Sequence, residues 1–390
     1  MSRLGELIQQ LCPDGVGYKK VGAIAEVGTG GSNGNEASDD GQYPFFIRSQ
    51  TIKRKNDYEY DDEAIIIPGE GGIGEIFHYI NGKYALHQRV YRIHFLVNNV
   101  VTKFAYYYMQ AYFKPFILKK AVSATVTSIR KPMIEEFAIP LPPLEIQQEI
   151  VQILDKFTEL TAELTAELTA RKKQYEYYRD ELLAQCNAPK VELRQVVKKN
   201  CSGATPAKNH GEYYENGTIP WLRTQDVRFN EIYEIGSSIT ETAVRETAAK
   251  WIPENCVIVA ISGASAGRCA INKIKTTTNQ HCLNMEIDGA QALYKYVYYC
   301  VASQYRELLS RKQGARGDLN SSLILSLQIP LPSLPEQHRI VSILDRFEAL
   351  CNDLTSGLPA EIKTRQKQYE YYRDKLLTFQ EKSSDSSRGE

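Results

Sequence analysis

The chain has 390 residues, enough for two or three domains with separate cores. Its 47 Lys and Arg balance 47 Asp and Glu, so net charge alone points to no nucleic acid and any basic surface must be local. The 8 cysteines are scattered without a Cys-x-x-Cys pair, which argues against a disulfide or zinc scaffold and for reduced thiols, and no run of about 18 apolar residues suggests a membrane helix, so a cytoplasmic location is expected.

Residues 1–140 read as mixed α/β with mostly short strands. The run from Tyr43 to Ile52 (YPFFIRSQTI) is strand-like, Glu63 to Pro68 is a buried-strand pattern, and Gly28 to Asn35 is a flexible loop. Asn81-Gly82, between FHYI and KYAL, signals a hairpin turn. Phe104 to Leu118 is aromatic and helical, with a break expected near Pro115. Pro140, Pro142 and Pro143 then hold the chain extended. From Glu145 apolar residues recur mostly every three or four positions, through Ile150, Leu154, Phe157, Leu160, Leu164 and Leu168 to Tyr175, Tyr178 and Leu182. A helix of about 38 residues would span roughly 55–60 Å and needs a partner along its length.

This stretch occurs twice. IPLPPLEIQQEIVQILDKF from Ile139 returns as IPLPSLPEQHRIVSILDRF from Ile329, and QYEYYRD from Gln174 returns from Gln368, with four more residues between the landmarks in the second copy. The second seam is Phe347, Leu350, Leu354 and Leu358. Gly357 and Pro359 predict a kink or break there, Pro359 opening a further segment. Four residues are a stutter, which lengthens a helix by about 6 Å while turning its seam by only ~40°. Between the copies, Ile219-Pro220-Trp221-Leu222-Arg223-Thr224-Gln225 parallels Tyr43 to Gln50, and Asn279-Gln280-His281 parallels His87-Gln88-Arg89. The expected fold is α+β: two α/β domains in pseudo-twofold arrangement, separated by two long helices packed as an antiparallel coiled coil. The divisions fall at 1–140, 141–185, 186–330 and 331–380, with a flexible tail at 381–390.

No catalytic constellation emerges. Gly69-Glu70-Gly71-Gly72-Ile73-Gly74 fits G-x-G-x-x-G, but strand-like sequence follows where a dinucleotide site needs a helix, so it reads as a turn. There is no GxxxxGK[ST] loop and no Asn-Pro-Pro-Tyr or Asp-Pro-Pro-Tyr site for a flipped adenine. Glu361-Ile362-Lys363 lacks a paired acid, and six histidines show no metal spacing. What remains are side chains suited to base edges: Arg48, Gln50, Lys53, Arg54, Lys55, Gln88 and Arg89 in the first domain, and Lys208, Asn209, Arg223, Gln225, Arg228 and Gln280 in the second. Arg48, Gln50, Arg223 and Gln225 lead this group. Gly-rich loops at Thr29 to Asn35 and Ser202 to His210 are suited to approach a phosphate backbone.

The two repeats, with their TAEL units and QYEYYRD ends, resemble the conserved helical regions of specificity subunits of Type I restriction–modification enzymes, and the TAEL units point to the IC-like subgroup. Short runs such as YALHQRVYRI and GATPAKN…IPW fit the family's two target recognition domains. The resemblance spans essentially the whole chain. It implies a non-catalytic subunit that binds double-stranded DNA, each domain reading one half of a bipartite target and the helical pair setting the gap. Two modification subunits would methylate adenine with S-adenosylmethionine, and restriction subunits would use ATP and Mg2+, none of these bound by this chain. Two other readings stay open: a stand-alone DNA-modifying enzyme, which the missing methyltransferase site disfavours, and an assembly scaffold whose domains bind proteins.

Overall fold

The computed structural model describes residues 3–120, 128–311, 318–352 and 357–382. They divide into two compact units, one of Met1–Thr165 with Ile362–Glu390, the other of Ala166–Glu361.

The first unit is built on a six-stranded sheet. Its strands lie in the order Ala25–Thr29, Val90–Phe95, Tyr60–Pro68, His78–Leu86, Tyr43–Phe46 and Lys53–Lys55. All neighbours are antiparallel except Tyr43–Phe46 with His78–Leu86, which run parallel through Phe45↔Ala85 and Phe46↔Leu86. Strand periodicity divides the central residues between two faces. Ile65, Ile67 and Ile93 join a core with Phe104 and Phe113 of the helix Thr102–Lys120, while Ala64 and Ile66 pack with Phe46, Tyr84 and Leu86 on the other side.

Two local expectations are overturned here. Asn81-Gly82 makes no turn: His78–Leu86 is one strand, with Asn81 opposite Glu63 and Gly82, at φ 124°, opposite Asp62. Continuous pairing with Tyr60 to Ile66 outweighs the dipeptide's turn preference. Pro115 lies inside Thr102–Lys120 without ending it. Pro115 is exposed and, with Ala111, lines an open cleft, where water can satisfy the carbonyl that loses its helical partner.

The second unit repeats the plan. Five strands run in the order Val197–Ser202, Cys282–Ile287, Val257–Ala260, Cys269–Asn272 and Asn230–Ile232, and four more in the order Ser238–Ile239, Ile219–Leu222, Thr276–Thr278 and Trp251–Ile252. Ile219–Leu222 runs parallel to Thr276–Thr278, as Tyr43–Phe46 does to His78–Leu86. The helix Tyr294–Ser303 fills the place of Thr102–Lys120.

The first repeat is a 41-residue helix, Leu144–Ala184. The second is two 19-residue helices, Leu334–Asn352 and Leu358–Leu376, with Gly357 before the second and Pro359 within its first turn. Each unit takes the start of one repeat and the end of the other. In the first unit Phe157 stacks on Tyr372 at 5.5 Å; in the second Phe347 stacks on Tyr178 at 6.0 Å. The phenylalanine of each copy therefore meets the last tyrosine of the other.

Leu160, Leu164, Leu168 and Leu358 are half-buried, and Leu354 lies outside the described residues. Leu350 departs from the expected seam: it is 57% exposed. Cys351 and the half-buried Glu348, one turn apart, lie on the inward face instead, which turns Leu350 outward. At the start of the expected tail, Glu381 pairs with Val16, while 383–390 lie outside the described residues.

Polar side chains of the repeats anchor each sheet domain identically. Gln147 is fully buried; it accepts from the Val101 N–H at 2.8 Å and donates to the carbonyls of Asn99 at 2.9 Å and Pro142 at 2.7 Å. Gln337 accepts from the Leu293 N–H at 2.9 Å and donates to Gln291 at 3.1 Å and Pro332 at 2.9 Å. Asp155 accepts from Lys103 and Tyr107, and Asp345 from Lys295 and Tyr299.

The copies differ three residues on, where Thr158 corresponds to Glu348. Burial among Tyr298 and Tyr299 pushes the Glu348 carboxyl above its usual range, against the lowering effect of both phenols. A carboxyl raised by folding favours the folded state most where it is protonated, and opposes it increasingly as pH rises above the unfolded value of about 4.3. Glu348→Gln is therefore expected to raise the urea midpoint at pH 7 and to change it little at pH 4.

Candidate nucleic-acid interface

The parallel strand pair in each domain delivers polar residues to one end of the sheet. After Phe46 the chain exits through Ile47 to Arg48. The turn His87-Gln88-Arg89 is tied back by the His87 N–H to the Phe46 carbonyl at 3.0 Å and by the Arg89 N–H to His87 Nδ1 at 3.0 Å. In the second domain the Asn279 N–H reaches the Leu222 carbonyl at 3.0 Å, and the His281 N–H reaches Asn279 Oδ1 at 3.1 Å. His87-Gln88-Arg89 and Asn279-Gln280-His281 are thus the same turn. Arg48 and Arg223 are not quite equivalent: Arg223 directly follows Leu222, whereas Arg48 lies two residues beyond Phe46.

In the first domain Glu70 joins two arginines. Arg48 Nη1 donates to Glu70 Oε2 at 2.9 Å, and Arg89 Nη1 donates to both carboxylate oxygens at 3.0 Å. These bonds, first from Arg89 and then Arg48, hold the Glu70 carboxyl below its usual range. Arg48, Lys53, Glu70 and His87 line a shallow cavity of about 400 Å³. Burial, and then the two arginines, keep the His87 imidazole below its ordinary value, so it stays neutral beside them at neutral pH. Gln88 joins the rim by donating to Asn33 Oδ1 at 3.0 Å.

Other candidates lie elsewhere. Gln50 lines the larger cleft, about 1110 Å³, beside Tyr79, Tyr106 and Tyr369. Arg54 is committed to backbone, Nε to the Gly41 carbonyl at 2.5 Å and Nη2 to that of Gln42 at 2.7 Å. Lys55 is buried against Ser32 and Glu36, both at 2.7 Å.

In the second domain Lys208, Arg223 and Asn279 line a cavity of about 580 Å³ with Trp221 and Tyr214. The Arg223 guanidinium lies over the Trp221 ring at 5.7 Å, and its Nε is buried without a hydrogen-bond partner. Gln280 is joined to the rim through Thr205. Arg228 Nε donates to the Gln225 carbonyl at 2.6 Å, so these two brace one another. Asn209 is exposed in the adjoining loop.

The Gly-rich loops have a structural reason for glycine. A Cβ on Gly30 would meet the Leu86 carbonyl oxygen at 2.0 Å, and one on Gly203 that of Thr278 at 1.8 Å. Each glycine lets its loop cross the end of the parallel pair. Among the described residues, no group of three or more His, Cys, Asp or Glu side chains is gathered as a metal ion requires, and no helix is long and apolar enough to cross a membrane.

The two-domain plan has relatives. The family described as "Type I restriction modification DNA specificity domain" matches residues 13–171 and again 188–364. This chain belongs to that family. The specificity subunit of the Type I restriction enzyme EcoR124I/EcoR124II of Escherichia coli is 38% identical over 295 residues, 72% of each chain. A putative Type I specificity subunit of Haemophilus influenzae is 30% identical over 372 residues, 87% of this chain and 89% of that one. Among solved structures, the S subunit of a Type I restriction–modification system from M. genitalium has a TM-score of 0.56 at 14% identity, covering 93% of this chain and 96% of its own. A chain from a study of complex assembly in the type I R-M system scores 0.63 at 13% identity, covering 94% and 98%. At such identities these two speak to the fold, and they share the α+β plan. Family membership makes the chain a specificity subunit, the DNA-recognition component rather than a catalytic one, as the repeats led one to expect.

Proposed function

We propose that the chain reads a bipartite DNA target, the domain within 1–140 contacting one half-site and that within 186–330 the other. The observation that carries this is the duplicated turn, His87-Gln88-Arg89 and Asn279-Gln280-His281, which in each domain borders a cavity with an arginine beside it. Arg48, Lys53, Gln88 and Arg89 would serve the first half-site; Lys208, Arg223 and Gln280 the second. Arg223, whose guanidinium lies over Trp221 at the cavity wall, would turn its Nη donors to a guanine edge. Arg223→Ala is expected to weaken binding of the cognate duplex by ~1–3 kcal/mol if it reads a guanine. Titration of the assembled complex with that duplex checks this, and unchanged affinity would remove Arg223 from the set.

Two modification subunits would dock on the conserved helices and methylate adenine with S-adenosylmethionine, restriction subunits joining with ATP and Mg2+ in the cytoplasm. Support for two equal docking sites comes from the duplicated QYEYYRD ends, which expose Tyr177 at 62% and Tyr371 at 63%. Exposed aromatic anchors suit a protein interface. The TAEL units favour the IC-like subgroup, and the helices of 141–185 and 331–380 would set the gap between half-sites. One added TAEL unit adds about 6 Å of helix, equivalent to about one or two base pairs of gap. Methylome sequencing of such a variant should show a longer gap between unaltered half-sites; an altered half-site would count against the ruler.

A further inference from the structure

We infer that Glu70 is a specificity-determining residue of the first domain: bridging Arg48 and Arg89, it turns an arginine pair that would hold any phosphate into one reserved for a base edge. This rests on the reading of that cluster as a DNA-contacting surface.

The carboxylate is built into its place. The Gly69 N–H donates to the Arg89 carbonyl at 2.9 Å, and the Gly69 carbonyl accepts from the Ile129 N–H at 2.7 Å. Gly71 has φ 76°, and a Cβ there would come within 3.0 Å of the Arg48 carbonyl oxygen. The loop is thus wedged between the two segments that carry the arginines, and glycine on both sides lets it approach them. Glu70 is delivered to the midpoint of the pair by backbone packing.

The bonds use Nη1 on both arginines. A guanidinium has five donors in a planar fork, so Nε and Nη2, the edge suited to a bidentate contact, remain on each. That edge matches guanine O6 and N7. The carboxylate also cancels one of the two positive charges and repels the phosphate oxygens that would otherwise take both arginines at any sequence. It therefore opposes sequence-independent binding while holding each ring at a set angle.

The test compares Glu70→Gln with Arg48→Ala/Arg89→Ala, in complexes purified through the full chain. The probes are a duplex carrying the host's methylated bipartite motif and a random duplex of equal length. Glu70→Gln keeps the side-chain shape and removes the charge. It is expected to tighten binding to random DNA, to steepen the slope of log affinity against log salt by about one, and to lower the cognate-to-random ratio about tenfold. The double arginine variant is expected to weaken binding to the cognate duplex. If it binds both duplexes as the parent does, the cluster does not face DNA and the underlying reading fails. If it loses cognate binding while Glu70→Gln keeps the parent's ratio and salt slope, the role of Glu70 alone is overturned. Circular dichroism and urea midpoints matching the parent show that a changed ratio is not misfolding.

Discussion

Arg92→Ala is expected to destabilise the first unit by about 3–5 kcal/mol, the cost of removing one member of a buried ion pair. The Arg92 side chain is 7% exposed. Its Nε donates to Asp62 Oδ2 at 3.0 Å and to the Tyr84 hydroxyl at 3.1 Å, Nη1 reaches Glu26 at 3.0 Å, and the guanidinium lies over Tyr60 at 4.8 Å. Alanine leaves Asp62 and Tyr84 without that partner in the middle of the sheet. Amide exchange should lose protection across Tyr60–Pro68 and Val90–Phe95, while Val257–Ala260 of the second unit keeps its own; equal loss in both units would refute the local account. The pH dependence has a definite sign. Burial pushes the Asp62 carboxyl up, but bonds from Arg92 and Tyr84 outweigh it and hold the group below its usual range. A depressed carboxyl stabilises the fold fully above the unfolded value of about 3.9 and loses that contribution as pH falls through the folded value. The gap between parent and variant should therefore narrow on acidification below that value.

Gln147→Ala and Gln337→Ala are each expected to cost on the order of 3 kcal/mol in their own unit, because each strips partners from one backbone N–H and two carbonyls. Gln147→Ala should expose Asn99–Val101 to exchange and leave 291–293 protected; Gln337→Ala should do the reverse. The two costs should add in the double variant within about 0.5 kcal/mol, since the sites share no partner. Strong non-additivity would mean that the two anchors are coupled.

The repeats were the most legible part of the sequence, because a helix writes its buried face into nearby residues and the second copy repeats it. Ile146, Ile150 and Leu154 are all fully buried. The polar anchors stand in the same lines but are not legible there, since Gln147 and Asp155 tie to the sheet domain through partners more than forty residues away. Asn81-Gly82 misled for a related reason: its local preference is weaker than pairing to a neighbouring strand. Residue type alone suggested Arg54 and Lys55 for DNA, yet a guanidinium or ammonium meets carbonyls and carboxylates within its own fold equally well. Glu70 is masked in the sequence because its loop fits a nucleotide motif. Its one local signal is an acidic residue between glycines, in a domain rich in candidate cations.

The crosswise pairing of the repeats also orders events during synthesis. The second unit is one continuous stretch, Ala166–Glu361, whereas the first needs residues from 362 onward. Those residues are structural: Tyr369 and Leu377 belong to the first unit's core, the Val16 N–H donates to the Gln380 carbonyl at 2.8 Å, and the Lys382 N–H donates back to Val16 at 3.0 Å. A ribosome emits the first sheet earliest, yet that unit stays unsealed until the final helix emerges, by which time the inner unit has all its parts. Domains are generally thought to complete in the order they are translated. Here the unit begun first is completed last, and a chain halted before residue 362 would carry one complete unit and one open one.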